Sequence, residues 1–240
     1  MKYAVFSDIH ANITALQACY DHFLKLKEDT AKIVILGDYI DYGPRPNETI
    51  SFIISMNPDI IICGNHEQAI YGTEDSRFAS PRGVESAALT RKLLNAESNM
   101  FISKYSSPYK MAEYKNIKIL FIHGDLSDPL WGKMPAEEVK NQKYAEYDFV
   151  ISGHTHIPHL LEIFYDDANP SMRNKKKTIF LNPGSVGQPR NHCQYAQYLF
   201  VNIETEAFMF YKVPYNIPVE QSYYPDSIYP FYKERLSKGI

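Results

Sequence analysis

The sequence predicts an α/β protein built as a two-sheet sandwich with helices on its outer faces. Two observations lead to this fold class. Short apolar runs alternate with helical segments along the first half of the chain, and further short apolar runs follow in the second half. The chain has 240 residues, of which 45% are hydrophobic, and this is enough to bury one substantial core. We therefore expect a single domain over residues 1–240, with a helical cap inserted at about residues 68–108.

The first half of the chain reads as strand, helix, strand, helix, strand. Three stretches are short, apolar and rich in β-branched residues, and we expect strands there: 3–7, 33–36 and 60–63. From Asn12 to Lys27 the apolar residues recur at helical spacing, and Asn12 can cap that helix. Asn47 is expected to cap a second helix that ends at Met56. This alternation predicts parallel strands joined by right-handed crossovers.

The second half predicts mostly strands, after a polar stretch at 68–107 that carries the helical pattern of the expected cap. A short helix is expected near 136–143. Strands are expected at the following positions: 110–113, 118–122, 149–152, 160–164, 178–182, 198–203 and 207–213. We expect three or all of the last four to be antiparallel, with a hairpin turn at 204–206. The tail after Pro214 is expected to wrap the surface and to end in a short helix.

Composition and charge limit the classes of partner that the chain can bind. The formal net charge is -3, so no global basic field attracts long nucleic acid or an anionic membrane. The three cysteines form no C-x-x-C pair, and we expect reduced thiols in a cytoplasmic protein. We expect no signal peptide and no membrane span, because no apolar run approaches the ~20 residues that a membrane helix needs.

Polar residues that could bind metal ions lie at the ends of the expected strands. They comprise two carboxylates, four imidazoles and one amide: Asp8, Asp38, His10, His123, His154, His156 and Asn65. Strands that all end in such residues can bring them together at one edge of a sheet. The set suits two divalent transition ions better than one. Manganese, iron, nickel, cobalt and zinc all fit imidazole and carboxylate ligands, so the sequence leaves the identity of the ions open.

Five ordered motifs resemble those of the calcineurin-like metallophosphoesterase superfamily. They are Asp8-x-His10, Gly37-Asp38-x-x-Asp41, Gly64-Asn65-His66-Glu67, His123-Gly124 and Gly153-His154-x-His156. Their order and spacing match over residues 1 to about 190. The stretches 41–47 and 182–190 resemble more narrowly a group of small prokaryotic phosphoesterases. The resemblance implies the two-sheet α/β/β/α fold of that superfamily and a metal-dependent phosphoric ester hydrolase.

The resemblance also implies a role for each residue of these motifs. One ion would be held by Asp8, His10 and His156, the other by Asn65, His123 and His154, and Asp38 would bridge both. His66 would face the substrate instead of binding metal, and Asp41 would orient it. A hydroxide shared by the two ions would attack the phosphorus of a small phosphate mono- or diester or of a nucleotide.

The chemistry of these residues is consistent with that division of roles. Two divalent ions and two carboxylates leave a net charge of about +2, which favours an anionic ester. A leaving alkoxide needs a proton, and His66 can supply it. A hydrogen bond to Asp41 would fix the tautomer of His66 and raise its pKa.

One position departs from the pattern of the protein phosphatases of this superfamily. They have Arg where this chain has Tyr42, and an Arg there binds phosphate through two hydrogen bonds, which Tyr cannot do. The departure argues against a Ser/Thr protein phosphatase and against the dinucleotide-polyphosphate hydrolases that carry the same Arg. We expect Arg190, which follows a glycine-rich turn, or Arg45 to supply the missing cation, and Tyr42 to line the substrate site.

Two alternatives to a small-molecule phosphoesterase are left open by the sequence. The same fold can serve as a non-catalytic metal-binding scaffold for protein partners, but such proteins tend to lose the His that this chain keeps as His66. A nuclease is disfavoured by the net charge and by the lack of a basic stripe with stacking aromatic residues. A dinucleotide or cyclic nucleotide still fits. The sequence determines neither the preference for mono- or diesters nor the oligomeric state.

Overall fold

The structure of the chain is a computed structural model, which describes residues 1–72, 77–134, 142–172 and 175–240. Within these ranges the strands are β1 (Lys2–Phe6), β2 (Lys32–Leu36), β3 (Ile60–Ile62), β4 (Tyr109–Tyr114), β5 (Ile117–Ile122), β6 (Phe149–Ser152), β7 (His159–Phe164), β8 (Lys177–Asn182), β9 (Ala196–Asn202) and β10 (Ala207–Val213). They form two five-stranded sheets, which confirms the predicted two-sheet α/β sandwich. None of the helices in the described ranges is long and apolar enough to cross a membrane.

The first sheet combines amino-terminal parallel strands with a carboxy-terminal hairpin, in the order β10-β9-β1-β2-β3. Strands β1, β2 and β3 are parallel, as predicted. Strand β9 pairs antiparallel with both β1 and β10, and the predicted turn at 204–206 joins β9 to β10. Strand β1 therefore lies in the middle of the sheet.

The second sheet has the order β4-β5-β6-β8-β7. Its three inner strands are parallel, and β4 and β7 pair antiparallel with them at the two edges. The prediction of three or four antiparallel strands is confirmed for the β7–β8 pair and for the β9–β10 hairpin. It is wrong for the other neighbour of β8, because β8 runs parallel to β6. Strand β8 lies inside the second sheet beside β6, and its nearly continuous burial suits an interior parallel strand. The β9–β10 hairpin belongs to the other sheet.

Successive side chains along β1 point alternately into two different apolar layers. Tyr3 and Val5 of β1 point into the core between the sheets, where they meet residues of β5, β6 and β8. Ala4 and Phe6 point to the opposite face and pack against Leu16 and other residues of helix α1 (Ile13–Lys25). This period of two is what a strand covered on both faces requires. The parallel strand ends are thereby fixed from two sides.

The helices of the first half begin close to the predicted positions. Asn12 caps α1, and its side-chain oxygen accepts a hydrogen bond from Ala15 N at 3.0 Å. Helix α2 (Pro46–Met56) starts at Pro46, so the prediction that Asn47 caps it is wrong. Pro46 suits the first helical position, which needs no amide hydrogen. The Asn47 side chain instead donates to Leu93 O at 2.8 Å.

In the described part of the stretch between β3 and β4 there are three α-helices: α3 (Asn65–Gly72), α4 (Pro81–Leu93) and α5 (Ala96–Lys104). They occupy most of the stretch for which the cap was predicted. The carboxy-terminal tail contains α6 (Ile217–Ser222) and the short helix α7 (Pro230–Glu234). Most of the short helix predicted near 136–143 lies outside the described residues, and residues Gln142–Glu146 form a 3-10 helix.

Candidate metal centre and active site

The predicted ligands lie shortly after β1, β2, β3, β5 and β6, all in loops except Asn65, which is the first residue of α3. In these loops the backbone turns sharply, because seven of the predicted site residues have a positive φ between 50° and 70°. These are Asp8, His10, Asp38, Asp41, Tyr42, His154 and His156. A positive φ costs free energy in residues other than glycine, and such strain concentrates at functional sites. The loops therefore hold these side chains in positions that an ordinary strand end would not give them.

The ligand atoms form two adjoining clusters that share one carboxylate. Asp8, His10, Asp38 and His156 make up the first cluster, and Asp38, His123 and His154 the second. Within each cluster the candidate ligand atoms all lie within 4.8 Å of one another. Asn65 joins the second cluster, because its Oδ1 lies 3.1 Å from His123 Nε2 and 2.9 Å from His154 Nδ1. The structure thus brings together all seven predicted ligands in the predicted groups.

The orientation of the imidazole rings fits metal binding. Nδ1 of His10 faces Ile40 O at 3.3 Å, and Nδ1 of His156 faces Gln188 O at 2.6 Å. A carbonyl oxygen only accepts hydrogen bonds, so Nδ1 carries the proton in both rings. The two Nε2 atoms then point lone pairs at each other across 3.2 Å. Asp8 Oδ1 is also buried there without a hydrogen-bond partner in the described residues. A cation held by Asp8, His10 and His156 would satisfy all three atoms.

Burial brings a net decrease in the pKa of three of the four imidazoles in the two clusters. It lowers the pKa of His154 to about 3, with a further decrease from His123, and it lowers the pKa of His10 and His156 well below the ordinary value. These rings are therefore neutral, which is the form that binds metal. Burial also lowers the pKa of His123, but the carboxylate of Asp38, 3.2 Å from its Nε2, raises it to about 9 overall. A divalent cation would replace that proton.

His66 lies beside the clusters and is held by Asp41. Its Nδ1 is 2.7 Å from Asp41 Oδ2, and its Nε2 is 3.8 Å from Asp38 Oδ2. Burial lowers the pKa of His66, but Asp38 and the hydrogen bond to Asp41 raise it more, so that the net change is upward. The Nδ1–Asp41 hydrogen bond leaves Nε2 as the ring nitrogen that can exchange a proton with a bound molecule.

Two hydroxyl groups of α4 hold Asp41 from the other side. Ser86 Oγ donates to Asp41 Oδ1 at 2.6 Å and Thr90 Oγ1 donates to the same oxygen at 2.9 Å. The two residues lie four positions apart, so a helix places both on one face. Sequence reasoning did not identify them, because a Ser and a Thr in a polar helix have no distinctive pattern.

Glu67 connects the loops after β2 and β3. Its carboxylate accepts hydrogen bonds from Asp38 N at 2.7 Å, Ile40 N at 3.0 Å and Gly64 N at 2.7 Å. The loops pack so closely that a Cβ atom at Gly64 would overlap Asp38 Oδ1. Glu67 was part of a predicted motif without an assigned role, and the structure shows that it fixes the backbone of Asp38.

A family model described as the calcineurin-like phosphoesterase superfamily domain matches residues 1–206. The chain belongs to this superfamily. Membership confirms the resemblance inferred from the five motifs. Together with the clustered His and Asp residues, membership indicates a phosphoester hydrolase.

Similar proteins match most or all of the length of this superfamily member. It is 29% identical over 222 residues to the uncharacterized protein MJ0912 of Methanocaldococcus jannaschii, covering 89% of this chain and 88% of that protein. The crystal structure of a metallophosphoesterase from Sphaerobacter thermophilus matches with a TM-score of 0.77 and 25% identity, covering 100% of both chains. The hypothetical protein PH1004 of Pyrococcus horikoshii OT3 has the same fold, with a TM-score of 0.83 at 20% identity, covering 100% of this chain and 98% of that one.

The three residues predicted to contact substrate differ in their position relative to the site and in their partners. The Tyr42 ring lies 4.7 Å from that of His10 and 4.5 Å from that of His66, so it borders the site. Arg190 Nε is buried without a hydrogen-bond partner among the described residues, and its charge contributes to the lowered pKa of His156. Arg45 forms an ion pair with Glu220, which commits its guanidinium elsewhere.

Proposed function

We propose that the protein uses two divalent metal ions to hydrolyse a small phosphate ester or nucleotide. The observation that carries the proposal is the pair of ligand clusters that share Asp38 and adjoin the His66–Asp41 pair. The superfamily to which the chain belongs makes this the natural chemistry for such a site. We further propose a small soluble substrate and a cytoplasmic location, and the free state of the three cysteines is consistent with that location.

The first ion would be bound by Asp8, His10, Asp38 and His156, and the second by Asp38, Asn65, His123 and His154. Manganese, iron, nickel, cobalt and zinc all suit this mixture of imidazole and carboxylate. When bound, such a pair of ions lowers the pKa of a shared water and neutralises charge on the phosphoryl oxygens. Asp38 is the residue on which the pairing depends, because it belongs to both clusters.

His66 is proposed to act as the general acid. Asp41 holds its Nδ1, so Nε2 is the atom that would donate a proton to the leaving oxygen. Asp38 favours the protonated form of the ring, which is the form that an acid needs. Arg190 is proposed as the cation that replaces the arginine absent at Tyr42, since Arg45 is paired with Glu220.

The proposal is tested with purified protein, divalent metal salts and two generic substrates, p-nitrophenyl phosphate and its bis-ester. We expect metal-dependent hydrolysis. His66→Ala should lower kcat by about 10²- to 10⁴-fold, the contribution of a positioned acid, while metal content measured by mass spectrometry stays the same. The matched control is His192→Asn, because His192 is exposed and Asn tolerates its positive φ.

A His66→Ala variant as fast as the parent would show that the acid is another residue. Loss of bound metal in that variant would mean that His66 is a ligand. Inactivity of the metal-loaded protein on every mono- and diester would support the non-catalytic scaffold instead.

A further inference from the structure

Aromatic rings line one side of the candidate site, next to His66. The Phe78 ring lies 4.9 Å from the His66 ring, and the Trp131 ring lies 5.4 Å from that of Phe78, measured between ring centres. Trp131 also lies 6.3 Å from the ring of His154, a proposed ligand of the second ion. Phe78 and Trp131 thus form an aromatic corner that adjoins both the proposed acid and the second ligand cluster.

The aromatic corner is only partly used by the protein's own core. Phe78 packs on one side against the apolar layer that contains Phe6, and a Cβ atom at Gly83 of α4 would come within 3.2 Å of it. Trp131 is the one tryptophan of the chain, and it belongs to none of the apolar clusters formed by the described residues. Both side chains are half-buried, so part of each ring remains accessible beside the site.

Contacts between two segments hold the aromatic corner together. Arg77, the residue before Phe78, forms an ion pair with Asp128, and its guanidinium lies 5.1 Å from the centre of the Trp131 ring. Asp128 Oδ1 also accepts a hydrogen bond from Trp131 N at 3.1 Å. An exposed ion pair contributes little free energy alone, but these three contacts together keep the segment before α4 against the loop after β5.

The position of His66 decides which part of a substrate would meet the aromatic corner. In the proposed reaction His66 Nε2 donates a proton to the leaving oxygen, so the leaving group would lie next to this ring. Phe78 packs directly on it. Because Arg77 is paired with Asp128, the corner offers ring surface instead of an unpaired charge. Flat aromatic groups gain from offset or edge-to-face contacts with such rings, beyond the apolar area that they bury.

We propose that Phe78 and Trp131 bind a flat aromatic group in the leaving part of the substrate, so that the enzyme prefers phosphate esters with an aromatic ring or a nucleobase to esters of saturated alcohols. The inference rests on the proposed function and names its substrate class. A saturated ring of the same size buries a similar apolar area but has no π face. The preference would therefore come from the geometry of ring contacts.

The kinetic test compares benzyl phosphate with cyclohexylmethyl phosphate, whose leaving alcohols are similar in size and basicity. Phe78→Leu and Trp131→Leu should each lower kcat/KM for benzyl phosphate about three- to tenfold, and change that for cyclohexylmethyl phosphate less than about twofold. The loss should appear mainly as a higher KM, because a ring contact acts equally on the bound substrate and the transition state. Phe78→Tyr, which restores the ring, should keep the preference.

The matched control for Phe78→Leu is Phe164→Leu. Phe164 is an exposed ring that pairs with Lys177 at the start of β8, the end of the sheet opposite to the site. A second pair of substrates, 5′-AMP and ribose 5-phosphate, identifies the source of the aromatic group. A loss on 5′-AMP alone in this pair assigns a nucleobase to the corner, whereas a loss confined to benzyl phosphate assigns a simple aromatic ester.

Binding can be followed without turnover, because Trp131 is the chain's one tryptophan. Benzylphosphonate, which has no ester bond to hydrolyse, should change the Trp131 fluorescence of the metal-loaded protein. Cyclohexylmethylphosphonate carries the same charge and should bind about three- to tenfold more weakly. Phe78→Leu should remove that difference in affinity, and Phe164→Leu should keep it.

An equal loss on benzyl and cyclohexylmethyl phosphate, seen mainly in kcat, would show that the two rings only hold His66 in place. That result would overturn the aromatic site and leave the phosphoesterase proposal intact. If Phe78→Leu fails to fold, Trp131→Leu carries the same kinetic expectation. If the metal-loaded parent hydrolyses none of the esters, the proposed function fails, and the fluorescence titration alone decides the inference. Equal affinity for the two phosphonates, or an unchanged Trp131 emission, would then refute it.

Discussion

Asp41 shows how a single buried acid is held by residues that are distant in the sequence. One of its oxygens meets the His66 ring, and the other accepts hydrogen bonds from Ser86 and Thr90 of α4. With both oxygens bonded, the carboxylate cannot rotate, and it keeps His66 in one tautomer and one orientation. Helix α4 is thus part of the machinery that positions the proposed acid.

Removing the two hydroxyls should therefore slow the reaction without removing the metal ions. Ser86→Ala and Thr90→Val are each expected to lower kcat about tenfold, since a hydrogen bond to a charged group contributes about 1.5–3 kcal/mol. KM and metal content should stay close to those of the parent. Ser103→Ala is the control, because Ser103 is an exposed hydroxyl of α5 in the same insert. A double variant with the parent's kcat would show that Asp41 needs no such support.

At this scale the sequence predicted the residues that carry distinctive chemistry. Asp8, His10 and His66 stand in short motifs whose spacing is itself informative. Ser86 and Thr90 do not, because their importance arises only from contacts made when the chain folds. No local pattern distinguishes them from ordinary polar residues of a helix.

Among the elements, the connection between the β2 and β3 loops depends on Glu67. Its carboxylate accepts three backbone amides and so fixes Asp38 and Gly64 relative to each other. The acid sits in the first turn of α3, where the helix dipole favours a negative charge. One side chain therefore ties two strand ends and one helix together.

Glu67→Gln should weaken this connection, because the amide of Gln has one accepting oxygen instead of two. We expect the free energy of unfolding to fall by about 2 kcal/mol, measured by urea denaturation without added metal. Glu113→Gln on the exposed strand β4 is the control and should change stability by less than about 0.5 kcal/mol. Equal stability of the two variants would mean that the three amides find other acceptors.

Sequence patterns predicted which segments form strands and helices better than they predicted which strands lie side by side in a sheet. The apolar run of β8 correctly indicated a strand, but burial on both faces does not say which strand lies beside it. The expected cap at Asn47 was wrong for a local reason, since Pro46 already starts the helix and frees Asn47 to contact Leu93.

Across the whole molecule, the proposed metal centre joins the two sheets. Asp8, His10 and Asp38 follow strands of the first sheet, whereas His123, His154 and His156 follow strands of the second. Ions bound by both groups would cross-link the halves of the sandwich. The fold class followed from the alternation of elements and the five motifs, because both are global patterns. The return of the last hairpin to the first sheet has no such signal.

Metal binding should consequently stabilise the folded protein. At a free metal concentration of about 100 Kd the stabilisation is about 2.7 kcal/mol, which corresponds to a rise in Tm of roughly 5–10 °C for a chain of this size. Asp38→Asn should remove most of the rise, and Asp226→Asn, an exposed acid outside the site, should keep it. Scanning calorimetry with and without manganese or zinc measures both. If added metal leaves the Tm of the parent protein unchanged, the proposed metal centre is contradicted.

The central place of β1 has a consequence for biosynthesis. Its neighbour on one side, β9, comprises Ala196–Asn202, so the first strand leaves the ribosome long before that partner exists. Until then one hydrogen-bonding edge of β1 is open and can pair with strands of other nascent chains. Asp8, directly after this strand, acquires its final surroundings only after residues 185–187 have been synthesised, because Ser185 Oγ and Gly187 N donate to its main-chain oxygen. Premature termination before β9 would release a polypeptide that aggregates, with an incomplete first sheet.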